Sequence, residues 1–347
     1  MTELSLPAGA RSGRRARTAA ATGTPDEVYD ATPPAPGTRV AVIIPCLNEG
    51  RTIAKVVADF RHELPGAGIY VVDNASTDDT ALRASGAGAT VIREPRRGKG
   101  FAIRAAFRDV DADVYVLADG DDQTPSERVH ELIAPIADGR ADMVVGSRAL
   151  TGRTSEKPVN DLGNVIFSTV LRLLLGVRMT DVLSGYRALS RHLVKGLPLA
   201  ARNFEVEVEL TVKTTQRSYR LVEIPVEARP RGAGGHPRLR VVGDGLRILW
   251  AIGLLYRDYR PMSFFGLGGV LLVGAGVAVE LVPGATDVGP LPGPFVASLL
   301  AIAGFLSLCT GAILSVLARR FTELEGKVDI ATQPARFSPG PDPDARA

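Results

Sequence analysis

The chain has 347 residues, 41 basic and 38 acidic side chains for a formal net charge of +3, and 45% hydrophobic residues. With a pI near 8.9 and a mean hydropathy of +0.10, this is a mixture of soluble and apolar parts, and no stripe of Lys and Arg interleaved with aromatics marks a nucleic-acid partner. Two cysteines, Cys46 and Cys309, exclude a disulfide framework or a thiolate zinc site and fit a reduced compartment.

Residues 1–37 are rich in Ala, Arg, Pro and Thr and lack the apolar core of a signal peptide, so they read as a disordered tail. Arg11, Arg14, Arg15 and Arg17 either touch anionic lipid there or are simply solvated. From Arg39 onward, apolar runs at 40–45, 69–73, 89–93, 114–118 and 143–146 alternate with helical periodicity. That alternation predicts a parallel sheet covered by helices on both faces. The strand exits then share one edge, where open α/β sheets bind their ligands.

The first exit reads Pro45-Cys46-Leu47-Asn48-Glu49 and the second Asp73-Asn74-Ala75-Ser76-Thr77-Asp78. After the third strand, in Arg96-Arg97-Gly98-Lys99-Gly100, glycines permit close backbone approach and a lysine lies beside a helix start, which suits a phosphate or a ribose. Each has a plainer reading: Asp73 and Ser76 as helix caps, Lys99 as a surface lysine, Cys46 as a small buried filler. The fourth exit ends a β-rich run abruptly in Asp119-Gly120-Asp121-Asp122-Gln123-Thr124-Pro125. Two acids one residue apart can share a hard divalent ion, which in turn holds a diphosphate. Thr124 and Glu127 read as a capping box around Pro125, predicting a helix immediately afterwards.

Gly146-Ser147-Arg148 ends the fifth strand, Asp181-x-x-Ser184-Gly185-Tyr186-Arg187 follows, and Arg229-Pro230-Arg231 precedes a glycine-rich run at 232–235. A planar guanidinium grips phosphate with two parallel hydrogen bonds, so Arg148, Arg187 and Arg231 are candidate phosphate ligands; each reads equally well as an ion-pair partner.

Residues 262–281 and 295–317 are apolar runs of about twenty residues, the length needed to cross a hydrocarbon core of roughly 30 Å. Their connector carries Asp287 but no Lys or Arg, whereas Arg257, Arg260, Arg319 and Arg320 flank the outer ends. The positive-inside rule then puts both termini and the main domain in the cytoplasm. Glu280 is the one ionisable side chain within either run. Residues 246–259, with Trp250, Tyr256 and Tyr259, read as an interfacial helix. The Leu-rich run at 165–175 is too short to span and is either interfacial or core. Gly266, Gly269 and Gly274 suit self-association into a homo-oligomer. The Pro- and Asp-rich carboxyl end reads as a second tail.

The series Ile44-Pro45-x-x-Asn48-Glu49, Val72-Asp73-Asn74-x-Ser76-x-Asp78, Gly98-Lys99-Gly100 and Asp119-x-Asp121-x-Gln123 resembles the family 2 glycosyltransferases. It is most similar to the dolichyl-phosphate mannose synthase and polyprenyl-phosphate glycosyltransferase branch, over roughly residues 39 to 260. Asp181-x-x-Ser184-Gly185-Tyr186-Arg187 is similar to that family's Ser-Gly-aromatic-basic signature. The resemblance implies an α/β GT-A fold, a Rossmann-like mixed and mainly parallel sheet, over 38–240. An interfacial helix over 241–260, a two-helix membrane domain over 261–320 and a tail over 321–347 would follow.

By the same resemblance, Pro45, Asn48, Glu49, Asp73, Lys99, Asp119 and Gly120 hold the donor nucleotide. Asp119, Asp121 and Gln123 bind Mg2+ or Mn2+ and the donor diphosphate, with Asp121, Asp181 and Arg148 as the catalytic group. Arg148, Ser184, Arg187 and Arg231 hold an acceptor phosphate, and Asp181 orients the acceptor, acts as base, or supports the Ser184-Gly185 turn. Many relatives carry a Ser-Lys pair after the glycine-rich run; here His236-Pro237-Arg238 keeps the charge without the hydroxyl. Residues 203–209 alternate like a strand, whereas the resemblance makes them a helix lining the acceptor cleft.

The implied reaction is inverting transfer of a single sugar from a nucleotide-diphosphate donor of the GDP-mannose or UDP-glucose type to a polyprenyl phosphate in the cytoplasmic membrane. An acceptor phosphate is already anionic near neutral pH, so a strong general base is unnecessary. A processive synthase of the same superfamily is the alternative, although its Gln-x-x-Arg-Trp signature is absent and Trp250 is the only tryptophan. A membrane scaffold or lipid carrier that has lost catalysis is the non-enzymatic one.

Overall fold

The structure is a computed structural model that describes residues 37–151, 158–229, 241–281 and 292–332. The expectations placed on 1–36, on Arg231, His236 and Arg238, on Asp287 and on 333–347 lie outside those residues. Two compact units emerge, formed by the described residues of Met1–Ser168 with Arg178–Leu239 and of Thr169–Val177 with Arg240–Ala347.

The first unit is built on a sheet of seven strands among the described residues: β1 (Val40–Cys46), β2 (Gly68–Asp73), β3 (Thr90–Arg93), β4 (Val114–Leu117), β5 (Met143–Ser147), β6 (Arg187–Ser190) and β7 (Leu221–Pro225). Their order is β3-β2-β1-β4-β6-β5-β7. All pairings are parallel except the two made by β6, which runs antiparallel to β4 and β5. The sheet is thus mixed and mainly parallel. β6 and β7 escape a reading based on apolar runs because a charged residue interrupts each, Arg187 at the start of one and Glu223 in the middle of the other.

β1 is the switch point, with β2 on one side and β4 on the other, which opens a crevice beyond their carboxyl ends. Because β6 is reversed, its first residue Arg187 pairs with Leu117 at the end of β4. The Ser184-Gly185 turn that precedes β6 therefore reaches the same edge.

Helices α1 (Ile53–Glu63), α2 (Thr80–Gly86), α3 (Lys99–Asp109), α4 (Val129–Ala137), α5 (Pro158–Leu175), α6 (Arg191–Gly196) and α7 (Glu205–Gln216) fill the connections. In α1, Ile53, Val56, Val57 and Phe60 are buried, the i, i+3, i+4, i+7 stripe of an amphipathic helix. Such side chains each contribute about 1.5–3 kcal/mol when fully buried. Residues 203–209, strand-like in alternation, enter helix α7, in agreement with the resemblance: Val206, Val208, Leu210 and Val212 are all buried, so the helix is enclosed on several sides and shows no single apolar stripe.

The capping box at Thr124 and Glu127 does not form. The Thr124 hydroxyl accepts the Asp119 N–H at 3.3 Å and Glu127 pairs with Arg229, so the segment enters a short 3-10 turn at Ser126–Arg128 and becomes α-helical only at Val129.

The second unit contains α8 (Val241–Tyr259), α9 (Pro261–Leu281) and α10 (Gly293–Thr332). Pro261–Leu281 and Gly293–Phe321 are long and apolar enough to cross a membrane. Their apolar windows are only 17% and 11% buried, leaving side chains such as Leu271, Phe305 and Ile313 exposed, the state that hydrocarbon rather than water would solvate. α10 continues as helix to Thr332, past the point where a tail was expected.

α9 and α10 approach through small residues: a Cβ on Gly269 would lie 2.8 Å from the Gly304 carbonyl, and the Ser307 hydroxyl donates to the Phe265 carbonyl at 2.8 Å. Gly269, read as a self-association residue, is thus used within this hairpin. α8 exposes Leu246, Leu249 and Trp250, and α5 exposes Leu162, Val165, Ile166 and Leu173 while burying Phe167, Leu171 and Leu175. The Leu-rich run is accordingly core on one face and bare on the other.

Candidate active site

The exits of β1 and β2 are stitched together by polar side chains. Asn48 takes a left-handed conformation (φ 55°); its N–H donates to the Ser76 hydroxyl at 3.0 Å and its side-chain oxygen accepts the Thr77 N–H at 2.7 Å. The Glu49 N–H donates to the Thr80 hydroxyl at 2.8 Å and the Gly50 N–H to Asp78 at 3.1 Å. Asp73 accepts the Ser76 N–H at 3.1 Å. Pro45 pairs with Val72 one step before the register ends at Cys46 opposite Asp73, and the Gly120 carbonyl accepts the Thr52 hydroxyl at 2.5 Å. Cys46, 1% exposed, is buried, as a small filler would be. Pro45, Asn48, Glu49, Asp73 and Gly120 are thereby gathered at one edge, on the carboxyl ends of β1, β2 and β4.

Asn74, quoted in the second exit but given no role there, braces the third. Its amide donates to the carbonyls of Glu94 (3.2 Å) and Arg96 (2.6 Å) and accepts the Gly98 N–H at 2.6 Å. Gly98 has φ 138°, and a Cβ there would collide with the Arg202 carbonyl. The close approach anticipated at Gly98 and Gly100 is made by the chain's own residues 201 and 202, and the Gly100 N–H donates to the Arg202 carbonyl at 3.0 Å. That contact fixes Lys99 at the first position of α3.

Lys99 is not a surface lysine. Its side chain is 13% exposed, with the ammonium 2.6 Å from Asp119 Oδ1 and 2.7 Å from Glu207 Oε1. Burial alone would depress the ammonium, but the two carboxylates outweigh it and raise its pKa. Glu207, on α7, is pushed upward by burial despite the opposing pull of Lys99. Gly185 closes over this pair: a Cβ there would lie 2.6 Å from Asp119 Oδ2 and 2.9 Å from Lys99 Nζ.

Asp121 Oδ1 accepts the Gln123 N–H at 3.2 Å. Asp122, at φ 63°, turns the other way and accepts from Lys55 at 2.7 Å and Arg229 at 3.3 Å. Arg229 also pairs with Asp59 and Glu127, so the acidic turn is held from α1 and from the segment after β7. Asp119, Asp121 and Gln123 carry side-chain oxygens on one half-buried turn. No group of three His, Cys, Asp or Glu side chains is assembled as a metal cage among the described residues. A partial oxygen shell of this kind fits Mg2+ or Mn2+, which keep positions for substrate phosphate and water.

On the acceptor side, three of the expected residues turn inward. Asp181 is completely buried, and its two oxygens accept the Arg148 N–H (3.1 Å), Nε (2.8 Å) and Nη2 (3.1 Å). The carboxylate is thereby directed at Arg148, a partner that none of its three readings named. Arg187 is also fully buried; it donates to the Ser184 and Val182 carbonyls at 2.8 Å and to the Thr211 hydroxyl at 2.9 Å. Burial brings its guanidinium down to about 10, and it knits the Ser184-Gly185 turn to α7. The Ser184 hydroxyl likewise turns inward, donating to the Gly146 carbonyl at 2.6 Å.

Arg148 remains the outward-facing guanidinium, 32% exposed. Burial would lower its pKa, but Asp181 beside it and Asp119 across the site raise it. Glu223 and Asn164 hold the Asp181 loop from beneath: Glu223 accepts the Thr180 and Asp181 N–H groups, and Asn164 accepts the Val182 N–H. Sequence spacing gave no hint of Glu207, Glu223 or Asn164, which reach the site from distant elements. The available signal for Glu207 was an acid enclosed by valines on a buried helix.

Comparison with known proteins bears on this geometry. The family profile described as glycosyl transferase family 2 matches residues 41–197. Protein RfbJ of Shigella flexneri is 50% identical over 113 residues, covering 33% of this chain and 88% of RfbJ. A dolichyl-phosphate hexose transferase of Haloferax volcanii is 31% identical over 209 residues, covering 60% and 90%. Among solved structures, glucosyl-3-phosphoglycerate synthase from Mycobacterium tuberculosis in complex with Mn2+, uridine diphosphate and phosphoglyceric acid superposes with a TM-score of 0.55. The two are 26% identical, over 63% of this chain and 79% of that one.

Proposed function

The chain belongs to glycosyl transferase family 2, and from that premise we propose that it moves one sugar from a nucleotide-diphosphate donor to a polyprenyl phosphate, with inversion at the anomeric carbon. The observation that carries the reading is the acidic turn after β4, with Asp119 and Asp121 at the crevice edge and Lys99 2.6 Å from Asp119. A solved neighbour with Mn2+ and uridine diphosphate and a relative named for dolichyl phosphate support the two substrate classes.

In this reading Asp119, Asp121 and Gln123 hold one Mg2+ or Mn2+ ion, which when bound neutralises charge on the leaving diphosphate. Lys99 adds a fixed positive charge beside it. Asn48, Glu49 and Asp73 line the nucleoside side of the crevice. Arg148, aimed by Asp181, presents its guanidinium to the acceptor phosphate, an anion that needs no base to become a nucleophile. Gly185 leaves room for this approach, since any side chain there would fill the space above Asp119.

The two apolar helices and the bare faces of α8 and α5 support acceptor delivery from a bilayer. The arginines at 257, 260, 319 and 320 support a cytoplasmic site.

The test is an acceptor panel with the full-length protein in detergent, using polyprenyl phosphate, the matching polyprenol and a free oligosaccharide against several labelled nucleotide sugars. Label is expected in a lipid-linked monosaccharide with the phosphate acceptor alone. Label in lengthening oligosaccharide would instead indicate a processive or chain-extending enzyme.

A further inference from the structure

Lys99 has two carboxylate partners where one would keep it charged, and the second is costly. Glu207 is 4% exposed; its Oε1 lies 2.7 Å from Lys99, while its Oε2 is buried with no hydrogen-bond partner among the described residues. A buried carboxylate oxygen left bare is destabilising, so its place beside Lys99 calls for a reason. Asp119 supplies one. The reading above gives that carboxylate to a divalent cation, and Lys99 sits on it at 2.6 Å. A cation arriving at Asp119 must drive the ammonium off, and the ammonium of a side chain only 13% exposed cannot retreat to water.

We propose that Glu207 is a positioning residue that receives Lys99 when Asp119 is committed to a divalent cation, keeping the ammonium beside the donor diphosphate. This rests on the metal reading of Asp119 and goes beyond it. The surroundings fit a short transfer: Gly185 caps the pair from one side, and the 201–202 backbone locks the start of α3. The ammonium therefore shifts its share between two oxygens already in contact. Lys99, Asp119 and Glu207 together carry one excess negative charge, which draws a cation toward the turn.

The experiment is a Mn2+ titration of the full-length protein, followed by loss of the free-ion electron paramagnetic resonance signal and repeated with uridine diphosphate present. Glu207→Gln keeps the shape but not the charge; Lys99 then stays on Asp119, and Mn2+ affinity is expected to fall about tenfold, the scale of one charge interaction at a few ångströms. Lys99→Met removes the competitor and should raise affinity by a similar factor while slowing transfer. Glu207→Asp should recover most of the wild-type affinity. A packing role for Glu207 predicts the same affinity in the wild type, Glu207→Gln and Glu207→Asp, and that outcome overturns the proposal alone. No Mn2+ uptake by the wild type, with or without nucleotide, overturns the metal reading and this proposal with it.

Discussion

Replacing Asp121 by asparagine is expected to cut sugar transfer by about 10³-fold while the protein stays folded and in the membrane fraction. The fold is spared because Asp121 is half-buried, and the Gln123 N–H that donates to Oδ1 finds the same acceptor in an amide oxygen. What changes is charge. An amide is a far weaker ligand for a hard divalent ion than a carboxylate, and Asp119 is then the one carboxylate left in the proposed ligand set. Turnover of labelled donor, beside an unaltered thermal melt, checks this. Near-normal activity that persists in chelator would remove the divalent ion from the reaction.

Asp181→Asn separates the readings of that residue. The carboxylate is wholly buried and takes three N–H bonds from Arg148. An amide can accept with one end only, so its NH2 meets an Arg148 donor head-on. Breaking a fully buried pair costs about 3–5 kcal/mol; Arg148 is one-third exposed, and solvent reduces the loss to about 2–3 kcal/mol. Thermal stability should fall accordingly. In the folded enzyme KM for the lipid phosphate should rise at least tenfold with donor KM little changed, because the guanidinium is no longer aimed. If Asp181 were the base, kcat would collapse at constant acceptor KM and the acid limb of its pH profile would vanish.

The sheet was legible where its strands are apolar and their exits polar. Five of the seven strands lie within two residues of the expected runs, since burial on both faces writes a continuous hydrophobic signal. β6 and β7 carry no such signal. β6 opens on an arginine whose charge is compatible with the core only because Ser184, Val182 and Thr211 accept its hydrogens. The same hydrogen bonds turn Arg187 inward, a direction its residue type did not reveal. Residue type announces a guanidinium but not which way it turns.

Lys99 shows the converse. Its glycine-flanked position was noticed, yet its partner Glu207 lies on a helix more than a hundred residues later. The acidic turn was the clearest feature of all, because two aspartates that directly follow a buried strand cannot avoid the crevice.

The most direct measurement is the anomalous scattering of a crystal of the protein soaked with Mn2+ and a nucleotide diphosphate. A single strong peak between Asp119 and Asp121, with the diphosphate oxygens completing its shell and Lys99 drawn toward Glu207, is the expected result. A peak elsewhere, or nucleotide bound away from the carboxyl ends of β1 and β4, would contradict it.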